Sequence, residues 1–174
     1  TTAGTTRAAS FLDTGTTTLM IGRELRAARP GVIVTINLCV ASEYVGQTGV
    51  RVLLPGGQVS ALSPDVYGEW TVETLSNVTV DTAFLGCDAV DPADGFYSVD
   101  PQSAAVSRLM LARSRAAYLV ADSSKSGRRA MCRIAPLNRR KGVVTDRALP
   151  TDQRKSLRKL GLQIITEPDE RKPQ

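Results

Sequence analysis

The alternation of short apolar runs with segments of helical periodicity is the feature that most constrains the fold of this chain. Apolar runs end at Leu12, Thr35, Leu85 and Ala121. The stretches between them place apolar residues three and four positions apart, as helices do. Strands that alternate with helices through short connections form a parallel sheet covered by helices on both faces. The pattern therefore predicts an α/β fold with a Rossmann-like, open and mainly parallel sheet.

The length of 174 residues is enough for one well-packed domain. We expect this domain to cover residues 1–166 and a disordered polar tail to cover residues 167–174. No apolar run approaches the ~20 residues that span a bilayer. The first residues also lack the pattern of a signal peptide. We therefore expect a cytoplasmic chain that was trimmed from a longer protein.

The chain contains no histidine, and its three cysteines are far apart. Without histidine, Ser-His and Cys-His nucleophilic sites and imidazole metal ligands are excluded. The cysteines form no C-x-x-C pair, so neither a disulfide framework nor a thiolate zinc site is predicted. We therefore expect neither a metal nor a cofactor.

The two parts of the chain differ in charge. Residues 1–100 hold 5 basic and 11 acidic residues, whereas residues 101–174 hold 17 basic and 6 acidic residues. A basic segment can mark an anion-binding surface. Basic residues that are dispersed without interleaved aromatic residues also fit a solvated face. Both interpretations remain open from charge alone.

Candidate ligand-binding residues begin directly after the first predicted strand, Ala8 to Leu12. The residues from Asp13 to Thr18 read D-T-G-T-T-T and lead into a helix. A helix start has unpaired N–H groups and the positive end of the helix dipole, which together favour a bound anion. Gly15 lets the backbone approach a phosphate. Thr16 and Thr17 can turn their hydroxyls toward it, or they can simply cap the helix.

Further polar groups follow the other predicted strands. The candidates are Thr35 with Asn37, the glycine pair Gly56 and Gly57, the carboxylates Asp88 and Asp91, and Lys125. The carboxyl ends of parallel strands meet at one edge of a sheet, so we expect a shared crevice there. Asp13 repels phosphate and would accept a hydrogen bond from a sugar hydroxyl if it faced a ligand. Tight turns and a flexible surface loop also account for the glycine pair and Lys125.

Three segments receive specific structural predictions. Residues 65–77 have helical spacing and predict one helix, and a helix after Asn37 is predicted to run through Ala41 and Val45. The residues from Pro92 to Pro101 predict a loop that folds over a neighbouring part of the chain.

These stretches resemble the C-terminal sensor domain of DeoR-type bacterial transcription regulators over roughly Ala8 to Ile165. The strings that carry the resemblance are D-T-G-T-T-T from Asp13, G-G at Gly56, G-C-D-A-V-D from Gly86 and A-D-S-S-K from Ala121. The resemblance implies a fold related to ribose-phosphate isomerases and a phosphorylated sugar or related metabolite as ligand. It also implies a homo-oligomer and an N-terminal helix-turn-helix, absent from this chain, that binds DNA.

The resemblance implies a role for several candidate residues. Asp13, Gly15, Thr16 and Thr17 would form the phosphate loop, and Gly56, Asp91 and Lys125 would line the pocket. The related isomerases carry a carboxylate just before their G-A-D string, with a Lys-Gly-Gly-Gly loop soon after. This chain has Leu85 in the first place and lacks the loop. We therefore expect a sensor that is not an enzyme.

Two alternatives remain open at this stage. A sugar-phosphate isomerase or CoA-transferase-like enzyme would use Asp88 and Asp91 to move a proton. A nucleotide-binding module would need a G-x-G-x-x-G string or a Walker lysine, and Gly15 completes neither.

Overall fold

Twelve strands and five α-helices make up the described part of the chain. The computed structural model describes residues 8–28 and 31–166. The strands are β1 (Ala9–Leu12), β2 (Val32–Thr35), β3 (Arg51–Leu53), β4 (Gln58–Val59), β5 (Val66–Tyr67), β6 (Val80–Gly86), β7 (Ala89–Asp91), β8 (Gly95–Ser98), β9 (Ser114–Val120), β10 (Cys132–Ala135), β11 (Gly142–Val144) and β12 (Gln163–Ile165). The helices are α1 (Thr16–Ala28), α2 (Leu38–Ser42), α3 (Glu69–Ser76), α4 (Pro101–Ala112) and α5 (Thr151–Lys159).

A seven-stranded sheet in the order β12-β11-β9-β6-β1-β2-β3 forms the centre of the fold, and all its neighbouring strands are parallel. From β1 the chain moves outward on one side through β2 and β3. From β6 it moves outward on the other side through β9, β11 and β12. The order therefore reverses between β1 and β6. In open parallel sheets the ligand crevice lies at the carboxyl ends of the strands at such a reversal.

Helices bury apolar side chains on both faces of this sheet. Successive residues of a strand point to opposite faces. Phe11 accordingly belongs to the larger core, with Leu75 of α3 and Met110 of α4. Leu12 belongs to a second core, where it is grouped with Val40 of α2 and residues of α1. The predicted α/β fold with an open, mainly parallel sheet is thus confirmed.

The predicted helix over residues 65–77 is wrong at its start. Val66 and Tyr67 form β5, which pairs with β4 in a small antiparallel sheet, and α3 begins at Glu69. Gly68, with φ of +114°, separates the strand from the helix. The helix after Asn37 is also shorter than predicted, because α2 ends at Ser42.

The predicted loop from Pro92 to Pro101 contains a strand. β8 pairs with β7 on one side and with β10 on the other, so the three form an antiparallel sheet beside the main one. Phe96 of β8 is fully buried, which ties this small sheet to the larger core. The segment therefore packs as a hairpin whose tip is residues 92–94.

The predicted disordered tail, residues 167–174, lies outside the described residues. Among the helices that the structure describes, none has the length and apolar character needed to cross a membrane.

Candidate functional site

A cleft opens where β1, β6 and β9 end, on the carboxyl side of the strand-order reversal. Its volume is about 110 Å³. Most of its lining residues are small and polar, with one cation, one carboxylate and one valine among them. The lining residues are Thr14, Gly15, Thr16, Thr17, Thr18, Gly86, Cys87, Asp88, Ser98, Ser103, Val120 and Lys125.

The segment from Thr14 to Thr18, here called the Thr loop, forms one wall of the cleft and the first turn of α1. Leu19 N donates to Gly15 O at 3.0 Å, so Gly15 caps the helix through its carbonyl group. Gly15 has a φ of +114°, which side-chain-bearing residues rarely adopt. The next N–H groups have no carbonyl partner within the helix and carry partial positive charge. The Thr loop can therefore hold an anion at this wall of the cleft.

Gly86, the last residue of β6, allows the Thr loop to approach the neighbouring strand. A β-carbon at this position would overlap the carbonyl oxygen of Thr14. The Thr18 hydroxyl donates to the same Thr14 oxygen at 3.2 Å. Close contact between two backbones thus sets the position of the Thr loop.

We expect Gly86→Ala to displace the Thr loop and to lower the free energy of unfolding by about 1–3 kcal/mol, the usual cost of overpacking. Urea denaturation measures this change. The matched control is Gly22→Ala inside α1, where a β-carbon would make ordinary contacts of 3.5 Å with Leu12 and Val40. A Gly86→Ala protein as stable as the control would contradict the proposed close contact.

Asp13 lies beneath the Thr loop and does not line the cleft. Its side chain is 1% exposed. Its Oδ1 accepts from Thr14 N at 2.8 Å, and its Oδ2 accepts from the Ser107 hydroxyl of α4 at 2.7 Å. Burial raises the pKa of Asp13 from 3.8 to about 7, although these hydrogen bonds oppose the shift. Asp13 thus holds the Thr loop from below.

A second buried carboxylate, Asp65, supports the other side of the Thr loop. Its Oδ2 accepts from the Thr14 hydroxyl at 2.7 Å, and its Oδ1 accepts from Asn37 Nδ2 at 2.7 Å. Asn37 also caps α2, because its Oδ1 accepts from Val40 N at 2.9 Å. The Thr35 hydroxyl accepts from Asn37 N. The predicted site residues Thr35 and Asn37 therefore lie in a buried network outside the cleft.

Asp88 follows β6 and faces the cleft. Its Oδ2 accepts from the Ser98 hydroxyl at 2.9 Å and from Val99 N at 2.8 Å. These two donors come from the end of β8. The hairpin therefore orients the Asp88 carboxylate, whose Oδ1 has no bond of this kind among the described residues and is available to a hydroxyl donor.

Lys125 reaches the cleft from the turn that follows β9. Its Nζ donates to the Cys87 carbonyl oxygen at 2.7 Å, which fixes the ammonium group beside the end of β6. Burial raises the pKa of the Cys87 thiol to about 12, so that thiol stays protonated. The lining of the cleft thus contains one cation, held at the end of β6, and Lys125 is the cation that the sequence predicts at this edge.

Three other predicted site residues lie elsewhere. Asp91 forms an ion pair with Arg129 at 2.6 Å, whose hydrogen bond lowers the pKa of Asp91. Gly56 accepts from the Thr71 hydroxyl through its carbonyl oxygen. A β-carbon on Gly57 would overlap the Tyr67 carbonyl oxygen. These glycines therefore serve a close turn against β5, and none of the three lines the cleft.

Several residues that line the cleft were not predicted from the sequence. Thr14 and Thr18 belong to the quoted string but were not singled out, and Gly86 was not recognised as a close-contact position. Ser98 ends an antiparallel strand of the hairpin and Ser103 lies in α4, so neither follows a strand of the parallel sheet. Within the described ranges, no group of three or more acidic, cysteine or histidine side chains could hold a metal ion.

Comparison with known proteins identifies the family of this chain. The family model for the DeoR C-terminal sensor domain matches residues 6–147. The chain belongs to this family. In this DeoR sensor domain the matched range contains the Thr loop, Asp88 and Lys125.

Relatives of this DeoR sensor domain are regulators by name. An Escherichia coli O157:H7 protein named as an aga operon transcriptional repressor is 32% identical over 89% of this chain and 58% of its own length. The glycerol-3-phosphate regulon repressor of Escherichia coli K12 is 30% identical over 80% of this chain and 56% of its own length. The chain thus spans less than two thirds of these relatives.

Among solved structures, ribose 5-phosphate isomerase A from Methanocaldococcus jannaschii is similar to this DeoR sensor domain, with a TM-score of 0.47 and 15% identity. The match covers 68% of this chain and 46% of the isomerase chain.

Proposed function

We propose that this chain is the part of a transcription regulator that senses a phosphorylated sugar or a related metabolite. The ligand binds in the cleft between the Thr loop and Lys125. The observation that carries this proposal is the meeting of a helix start, a fixed cation and an oriented carboxylate at the strand-order reversal. Each of these three groups suits a different part of such a ligand.

The phosphoryl group belongs at the Thr loop, where N–H groups and hydroxyls of Thr16 and Thr17 can donate to its oxygens. Lys125, which lines the same cleft, adds a positive charge. An ionised Asp88 can only accept hydrogen bonds and carries a negative charge. It therefore suits a sugar hydroxyl and disfavours a second phosphate. The cleft therefore favours a ligand with one anionic end and one hydroxyl-bearing end.

The names of the two relatives support a regulatory role, since both are repressors of a metabolic operon or regulon. We also propose that a part of the protein outside this chain binds DNA. The full regulator would be a homo-oligomer. It would act in the cytoplasm, where the DNA lies. The assignments of 1–166 as the sensor domain and of a missing helix-turn-helix rest on the resemblance.

We expect phosphorylated sugars to stabilise this chain and their unphosphorylated parents to leave it unchanged. A ligand at 100 times its dissociation constant adds about 2.7 kcal/mol to the free energy of unfolding. Thermal unfolding with matched pairs, such as ribose 5-phosphate with ribose and glucose 6-phosphate with glucose, measures the difference. Equal shifts in melting temperature for both members of every pair would contradict the placement of a phosphoryl group at the Thr loop.

An isomerase remains the second candidate, because Asp88 lies in the cleft and carboxylates can move protons. Leu85 occupies the position at which the resembled isomerases carry a carboxylate, and it is fully buried in the core. We expect no interconversion of ribose 5-phosphate and ribulose 5-phosphate, measured by proton exchange with D₂O in the NMR spectrum. Exchange that disappears in Asp88→Asn would establish an enzyme instead.

A further inference from the structure

The Thr loop borders a second cavity on its opposite side. This cavity has a volume of about 250 Å³ and shares Thr14, Gly15 and Thr16 with the cleft. Its other walls come from α1, from the start of α2 and from the segment before β5. The backbone of the Thr loop is therefore a ridge with a cavity on each side.

The second cavity has a different chemical character from the cleft. Its wall is mostly apolar, and Leu19, Cys39 and Pro64 are among the residues that line it. Asn37 also lines it, but the Asn37 amide already bonds to Asp65 and Val40. No charged side chain is among the lining residues that the structure describes. The remaining polar side chains of the wall are the hydroxyls of Thr14, Thr16 and Ser63, of which that of Thr14 already donates to Asp65. A charged group would lose its water there without meeting an opposite charge, whereas an apolar group would gain burial.

Gly15 leaves the passage between the two cavities open. A β-carbon on Gly15 would meet no described atom closer than the Thr18 hydroxyl, at 4.0 Å. A ligand whose phosphoryl group sits on the Thr loop can therefore extend over Gly15 without meeting a side chain. The two cavities then serve opposite ends of a single molecule.

We propose that the cavity of Leu19, Cys39 and Pro64 is a second subsite, which binds a small apolar substituent of the phosphorylated ligand. This inference rests on the proposed function, because the phosphoryl group on the Thr loop directs the rest of the ligand. The cleft holds the polar end and the second subsite holds a carbon-rich group. The ligand class is accordingly a phosphate ester that carries both hydroxyl groups and an uncharged apolar arm.

A series of monoalkyl phosphates from methyl to butyl tests the second subsite, because the flexible chain starts at the phosphate itself. Each buried CH₂ group is expected to raise the affinity of the intact chain about three- to fourfold until the cavity is filled. Titration calorimetry at constant pH measures the series, with inorganic phosphate as the reference. Cys39→Trp, which adds bulk to the wall, should bind inorganic phosphate normally and flatten the series. Val45→Trp is the matched control, since Val45 is exposed and follows α2 outside the cavity.

Alkylation of Cys39 provides a readout that needs no variant. Cys39 is exposed, whereas the Cys87 thiol is buried and its pKa is raised. Butyl phosphate should slow the modification of Cys39 by iodoacetamide, followed by peptide mass spectrometry, and inorganic phosphate should not. The second subsite alone would be overturned if inorganic phosphate bound, all alkyl phosphates bound with equal affinity, and butyl phosphate did not protect Cys39. Failure of every phosphate to bind would overturn the proposed function with it.

Discussion

Lys125→Ala is expected to weaken binding of a phosphorylated sugar at least tenfold while leaving the unliganded fold intact. A charge pair ~4 Å apart near a protein surface interacts by about 4 kcal/mol before the cost of desolvation is subtracted. A tenfold loss corresponds to about 1.4 kcal/mol, which is well within that range. The Nζ atom is already held by the Cys87 carbonyl group, so little entropy is lost when a ligand arrives. Calorimetric titration with the sugar phosphate that gives the largest thermal shift measures the loss.

The control for this variant is Lys141→Ala. Lys141 is exposed and immediately precedes β11, so it lies at the amino end of the sheet, opposite the cleft. Both variants remove one positive charge, so they lower the net charge of the chain equally and differ in how far the lost charge lies from the cleft. If both variants lowered the affinity by the same factor, Lys125 would act only as a general surface charge and would not contact the ligand.

Asp13→Asn is expected to change the pH dependence of stability by about 4 kcal/mol between pH 4 and pH 8. The pKa of Asp13 rises from 3.8 in the unfolded chain to about 7 in the folded one, because the side chain is buried. The folded state therefore binds the proton more tightly. The contribution of Asp13 to the free energy of unfolding is fully present below pH 3.8 and is lost as the pH rises through about 7. Above that value it does not change further.

Asparagine preserves the shape of Asp13 and can keep both hydrogen bonds, accepting from Thr14 N and donating to the Ser107 hydroxyl. Asparagine has no proton to lose and therefore buries no charge, so the stability of the variant should rise relative to that of the wild type as the pH rises. Urea denaturation at a series of pH values measures the difference. Asp152→Asn, at an exposed position in the first turn of α5, is the matched control. Parallel pH profiles of wild type and Asp13→Asn would show that the Asp13 charge carries no burial cost.

The parallel sheet could be predicted from the sequence because its strands are buried on both faces. Such strands are short, almost continuous apolar runs, as in residues 32–35 and 116–121. The antiparallel sheet of β7, β8 and β10 could not be predicted in this way. Its strands lie among turn residues, and β8 pairs with β10, some forty positions away, as in the pair Phe96 and Ala135. Strands of three or four residues among turn residues form no continuous apolar run that would mark them in the sequence.

The cleft was predictable where a residue follows a parallel strand, as Thr16 and Lys125 do. It was not predictable for Ser98, which reaches the cleft through the hairpin, or for Gly86, whose role depends on the Thr14 backbone. The inward direction of Asp13 did have a signal. Side chains alternate along β1, and Asp13 lies two residues after Phe11, which packs on the side of α4.

The strand-order reversal between β1 and β6 also bears on how this protein folds and how long it stays folded. Ser10 lies beside Thr82, so forming this pair closes a long segment of chain, and the entropy of closure must be lost before the contacts form. The Thr loop follows β1 and Gly86 ends β6, so the two come into contact only when β1 and β6 have paired. A ligand held there binds the completed sheet and not its separate halves. Occupancy should therefore slow the separation of the halves, so that the lifetime of the native state follows the concentration of the metabolite.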